Sequence, residues 1–114
     1  MSETKYEELL KQAERLYEQQ DYEEAIPYYQ EILNERPDDL ELLEKIGDAY
    51  RGIGDINRAI QRYRKIPETA PQWSQILLKI GETYFEHDKY CESLEAYKEY
   101  FPINEEKQRA DILD

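Results

Sequence analysis

Residues 47–63 read GDAYRGIGDINRAIQRY, and this stretch decides the fold. Gly47 and Tyr50 continue an apolar stripe that begins at Leu43 and Ile46, with three- and four-residue steps. The stripe stops at Gly54-Asp55 and resumes as Ile56, Ala59, Ile60 and Tyr63. That is the period of one helical face, a break, and a second helical face. The stretch therefore predicts two helices joined by a tight turn, with Asp55 as N-cap of the second.

Moving outward, the pattern repeats. Sliding the chain by 34 residues aligns it on itself without a gap. Leu9, Leu43 and Leu77 share a column, as do Ala13, Gly47 and Gly81, and Leu16, Tyr50 and Tyr84. Tyr22, Ile56 and Tyr90 follow, then Ala25, Ala59 and Ser93, then Ile26, Ile60 and Leu94. Tyr29, Tyr63 and Tyr97 match, and so do Ile32, Ile66 and Tyr100; Pro37 and Pro71 close the first two units. Midway breaks fall at Gln20-Asp21, Gly54-Asp55 and His87-Asp88. The predicted helices are 4–18, 22–35, 39–52, 56–66, 72–86 and 89–101, with a short seventh over 105–112 behind Asn104. Thr4 with Glu7, Asp21 with Glu24 and Asp38 with Glu41 have capping-box spacing, and Asp88 is a further N-cap candidate.

The totals agree with a folded helical chain. Among 114 residues, eleven Tyr, two Phe and one Trp are too many for a solvating tail, and only four Gly and five Pro interrupt it. The formal net charge of -12 argues against nucleic acid and anionic membranes as partners and favours partners with a basic segment. No apolar run approaches the roughly 18 residues of a membrane span. Cys91 is alone, so it has no intramolecular disulfide partner. Met1 to Leu10 lacks the apolar core of a signal peptide, which gives a cytoplasmic expectation.

A 34-residue period with small residues at 13, 47 and 81, Tyr50 and Tyr84 three residues later, Ala25 and Ala59, Tyr29, Tyr63 and Tyr97, and Pro37 and Pro71 resembles the tetratricopeptide repeat. The resemblance spans about residues 6 to 104. It implies an all-α, right-handed superhelical array of three helix–turn–helix repeats with a short C-terminal helix. The expected organisation is a single domain, 1–114, with repeats at about 6–39, 40–73 and 74–104 and a tail or capping helix over 105–114. No unit of this kind buries its apolar face alone, so stacking of neighbours supplies the stability.

Departures from the pattern carry expectations of their own. Ser93 replaces Ala, Pro67 follows Ile66 directly, and Phe101-Pro102 is expected to end its helix. Pro27 lies beyond the first turn of its helix, where a kink on a solvent side is expected. On the face that would meet a preceding repeat, the first helix carries Glu8, Gln12, Arg15 and Gln19. The later units place Leu42, Ile46, Ala49 and Ile53, then Ile76, Ile80, Thr83 and His87 there. The array is thus polar-capped at its start. At its end Leu94, Tyr97, Tyr100 and Phe101 need cover, and Ile103, Ala110, Ile112 and Leu113 remain to give it. A capping helix that folds back, a longer chain, and end-to-end packing of two copies are the alternatives; a monomer is expected, with the end-to-end dimer kept open.

The resemblance implies a concave groove lined by the first helix of each repeat and used for a protein or peptide ligand. It points to Leu10, Lys11, Glu14 and Tyr17 in the first unit, with Glu7 and Glu18 beside them. In the second it points to Glu44, Lys45, Asp48 and Arg51, with Glu41 and Gly52. In the third it points to Lys79, Glu82 and Phe85, with Gln75, Leu78 and Glu86. Lys11, Lys45 and Lys79 form one row; Glu14, Asp48 and Glu82 form another, three residues along, so each pair can meet on its helix. Three solvated ion pairs are one reading of these rows, and a charged ladder that grips a peptide is the other.

Family members that bind the C-terminal carboxylate of heat-shock chaperones use Lys and Asn in the first repeat, Asn in the second, and Lys and Arg in the third. The matching residues here are Leu10 and Glu14, then Lys45, then Gln75 and Lys79. Only Lys79 fits, and Glu14 would repel a carboxylate. A ligand with basic and apolar residues suits the groove better, with Tyr17 and Phe85 as anchors. Trp73 is expected to pack between the second and third units, and His87 to be a surface or packing residue. No phosphate loop, metal motif or nucleophile triad is present, so no enzyme activity, metal or cofactor is expected. A structural or self-associating module, as a fragment of a longer protein or an engineered scaffold, is the alternative function.

Overall fold

The structure is a computed structural model that describes residues 2–113, with side chains as far as Pro102. The described residues form six helices: α1 (Glu3–Glu18), α2 (Tyr22–Glu35), α3 (Leu40–Gly52), α4 (Ile56–Tyr63), α5 (Trp73–Glu86) and α6 (Tyr90–Leu113). They fall into two compact units, Met1–Ile66 and Pro67–Asp114. In the first, α1 packs on α2, α2 on α3 and α3 on α4; in the second, α5 packs on α6.

The turn inside each repeat is built the same way three times. Gln20, Gly54 and Asp88 have φ of 63°, 82° and 62°, the left-handed region. The amides one residue later, on Asp21, Asp55 and Lys89, donate to the carbonyls of Leu16, Tyr50 and Tyr84. This is the Schellman closure, in which a left-handed residue folds the chain back onto the last free carbonyls of the helix. Only the middle repeat places a glycine there. Gln20 and Asp88 adopt the same conformation at a cost of about 1 kcal/mol each, since a Cβ crowds the following carbonyl in that region.

The helix pairs close on small residues. Ala13, Ala25 and Ala59 are fully buried. A Cβ on Gly47 would lie 2.6 Å from the Tyr63 ring, and one on Gly81 would lie 2.7 Å from the Tyr97 ring. These two glycines let a tyrosine from the second helix lie directly against the backbone of the first. Around the contacts, Leu16, Ile26, Ile32, Leu43 and Ile46 form the core of the first unit, and Ile76, Leu77 and Ile80 that of the second. Each such side chain contributes about 1.5–3 kcal/mol when buried. Ser93, the exception in the alanine column, is buried too, and its hydroxyl donates to the Gly81 carbonyl at 2.9 Å. Glu8, Gln12, Arg15 and Gln19 are exposed, whereas Leu42, Ile46, Ala49, Ile76, Ile80 and Thr83 are buried; Ile53 and His87, expected on the same covered face, are exposed at the helix ends.

Several expectations are corrected. Ser2, not Thr4, caps α1, accepting from the Lys5 amide at 3.2 Å. Asp39, not Asp38, caps α3, accepting from the Leu42 amide at 3.2 Å. Asp21 precedes α2 without a side-chain cap. Asp55 does cap α4. Asp88 is no cap, because its left-handed backbone closes α5 instead. α4 ends at Tyr63, three residues before Ile66, and the chain reaches Pro67 through turns.

α2 stays one helix across Pro27, whose ring is exposed as expected. α6 likewise runs on through Pro102 to Leu113, so the helix does not end at Phe101 and no separate helix forms over 105–112. Pro102 has no amide to donate to the Lys98 carbonyl, and the helix continues past it. A fold-back at Pro102 is therefore absent, and Leu94 and Phe101 remain 54% and 55% exposed. The side chains of Ile103, Ala110, Ile112 and Leu113 lie outside the described residues.

Candidate functional site

In the first unit three of the expected binding residues, Leu10, Glu14 and Lys45, line one recess of about 120 Å³, whereas Lys11, Tyr17, Glu44, Asp48 and Arg51 are not in its lining. Its lining comes from α1 (Tyr6, Leu10 and Glu14), α2 (Tyr29), the α3 cap Asp39, and α3 (Glu41, Leu42 and Lys45). Three carboxylates and one ammonium stand around it. Asp39 is committed to its capping bond, whereas Glu14 and Glu41 are exposed.

Asp48 is engaged by neighbours. The Lys45 ammonium lies over the Tyr17 ring, 4.5 Å from its centroid. A cation over an aromatic face is attracted by the ring quadrupole, worth about 0.5–1 kcal/mol at a surface. Tyr17 is further braced edge-to-face by Tyr22 at 5.1 Å and Tyr29 at 6.4 Å. Arg36 covers the Tyr6 ring in the same manner, 3.7 Å from its centroid.

Asp48 and Arg51 have a structural task. The Tyr63 hydroxyl donates to the Asp48 carboxylate at 2.5 Å. Burial pushes the Tyr63 phenol strongly upward and Asp48 adds to it, while Arg51 opposes the shift. The equivalent tyrosine of the first repeat differs. Tyr29 is 1% exposed, and its hydroxyl has no hydrogen-bond partner. Burial, helped by Glu14, Tyr17 and Glu18, raises its pKa to about 12, so it stays a neutral phenol at neutral pH.

In the second unit Lys79, Glu82 and Phe85 occupy the same register on α5. Phe85 is 58% exposed, with Tyr90 edge-on at 5.6 Å. Lys79 and Glu82 are half-buried and engaged by neighbours. Trp73 is buried at the first turn of α5, and His87 is exposed.

Of the recess lining, the sequence reading named Leu10, Glu14 and Lys45 among its groove residues and missed Tyr6, Asp39 and the lone hydroxyl of Tyr29. One signal was available for the last. The Tyr29/Tyr63 column is matched by Glu14/Asp48, acids that differ by one methylene. Nothing in the repeat pattern marked Tyr6, which lies at the very start of the first repeat.

Among the described residues no His, Cys, Asp and Glu group is placed to hold a metal ion, and no helix is long and apolar enough to cross a membrane. Cys91 is exposed and unpaired.

Comparison with known proteins places the chain by fold and family model. A family model described as "Tetratricopeptide repeat" matches residues 16–80. No curated protein matches the chain in sequence. Among 33 matching chains of solved structures is one described as "MamA RS-1 ArsTM double mutant". It matches with a TM-score of 0.75 and 16% identity, over 90% of this chain and 57% of that one. The present chain therefore spans little more than half the length of that protein, and at this identity the likeness shows the fold alone.

Proposed function

The chain belongs to the tetratricopeptide-repeat family, and from that premise we propose that it is a non-catalytic scaffold binding a basic and apolar polypeptide on the first helices of its repeats. Repeats of this family generally act in protein–protein interaction, and their folds are typically non-catalytic. The observation that carries the finer reading is that Leu10, Glu14 and Lys45 line one recess in the first unit, with Tyr17 under the Lys45 ammonium. Lys79, Glu82 and Phe85 continue the same register on α5. A free C-terminal carboxylate is a poor ligand, because Glu14, Asp39 and Glu41 surround the recess.

A pull-down comparing the parent chain with Lys45→Glu and Tyr17→Ala tests this, with circular dichroism to show that both variants fold. Loss of captured partners in either variant is expected. The same partners in all three samples would break the reading.

The exposure of Tyr90, Leu94 and Phe101 on α6 favours a second reading, self-association of this face. Sedimentation at several concentrations separates the two, since a strict monomer removes it.

A further inference from the structure

We infer that the recess between α1 and α3 receives the side chain of a lysine presented by a partner protein, with the Tyr29 hydroxyl as an acceptor in its wall. This deepens the binding function proposed above and rests on it.

Tyr29 makes the recess more than a dip between helices. A phenol that is 1% exposed and unpartnered leaves both its donor and its acceptor capacity unused, and buried polar groups are ordinarily satisfied. The same column in the second repeat shows the satisfied arrangement, where Asp48 takes the Tyr63 proton at 2.5 Å. In the first repeat Glu14 borders the recess without bonding to Tyr29. The two cations nearby are engaged elsewhere, Lys45 on the Tyr17 ring and Arg36 on the Tyr6 ring. Neither partners the hydroxyl.

The chemistry around that hydroxyl selects the guest. Glu14 and Glu41 only accept hydrogen bonds, and Tyr29 retains free lone pairs. An ammonium brings three donors and a positive charge to three acceptors. A carboxylate or phosphate would meet Glu14, Asp39 and Glu41. Leu10 and Leu42 offer apolar surface for a methylene stem, the way a lysine buries its chain while its head stays polar. The recess, about 120 Å³, has room for the end of one side chain.

The test uses the whole chain, ¹⁵N-labelled, titrated with acetyl-Leu-Lys-Leu-amide and with acetyl-Leu-norleucine-Leu-amide, which keeps the stem and lacks the ammonium. The lysine peptide is expected to bind at least three-fold more tightly and to shift the amides of Leu10, Glu14 and Leu42. Tyr29→Phe and Glu14→Gln are each expected to abolish that preference while leaving the spectrum of a folded chain. Equal binding of the two peptides on α1 and α3, or a lysine preference that survives both substitutions, overturns the inference and leaves the broader binding function standing. If neither peptide shifts any resonance of α1 or α3, the binding function proposed above fails with it.

Discussion

The first and second repeats place the same tyrosine in the same column and treat its hydroxyl in opposite ways. Tyr63 is fully buried and donates to Asp48; Tyr29 is as deeply buried and donates to nothing. Their backbones are alike, each closed by a left-handed residue at the matching turn position. One methylene separates the acids that border them, Asp48 and Glu14. The repeat architecture thus fixes where a polar atom goes, and the neighbouring side chain decides whether it is satisfied. In the second repeat the hydroxyl belongs to the core; in the first it stands in the wall of a recess.

Alkaline unfolding is the strongest way to probe this pair. Tyr29 titrates at about 12 in the folded chain and near 10 in the unfolded one. Below pH 10 both states hold the proton and its contribution is complete. As pH rises from 10 towards 12 the unfolded chain holds fewer protons, so stability falls by up to about 1.4 kcal/mol per pH unit for each such tyrosine. Tyr63 is raised as well, so its loss begins at the same pH and extends higher. Urea titrations between pH 9 and 12 should show a shallower decline in Tyr29→Phe than in the parent. An unchanged slope would mean that Tyr29 is solvated.

Tyr63→Phe comes next in size. It removes a bond to a charged acceptor and leaves Asp48 half-buried, so a loss of about 2 kcal/mol is expected at pH 7. Glu14→Asp copies the second repeat into the first. If acid length is the cause of the difference, the shorter carboxylate captures the Tyr29 hydroxyl and stability rises by about 1 kcal/mol, reduced slightly by the lower helix propensity of Asp. A plain loss in chemical denaturation would point to some other cause. The smallest effect belongs to Tyr29→Phe at pH 7, which deletes a hydroxyl with no partner and should stay within about 0.5 kcal/mol of the parent. A loss as large as that of Tyr63→Phe would show that the two hydroxyls are equivalent after all.

Much of this was legible beforehand, and the limits have physical causes. Four of the six helices begin and end within one residue of their expected bounds, since a 34-residue period and a three-to-four-residue stripe are strong signals when each repeats. Caps were less legible. Asp38 and Asp39 are adjacent, and a one-residue choice between them depends on backbone angles that side-chain type does not reveal. Proline misled at residue 102, where α6 gives up one amide bond and continues.

The sequence by itself determined the repeat, its helices, the small residues at 13, 47 and 81 on which each pair closes, and the acidic balance of the surface. Those properties follow from spacing and composition, which act along the chain. Only the tertiary structure decided that Lys45 lies over Tyr17, that Asp48 is claimed by Tyr63, and that the Tyr29 hydroxyl is left without a partner. Each depends on which atoms of two helices come within hydrogen-bond or ring-contact distance, and that follows from packing, not from the period of the sequence.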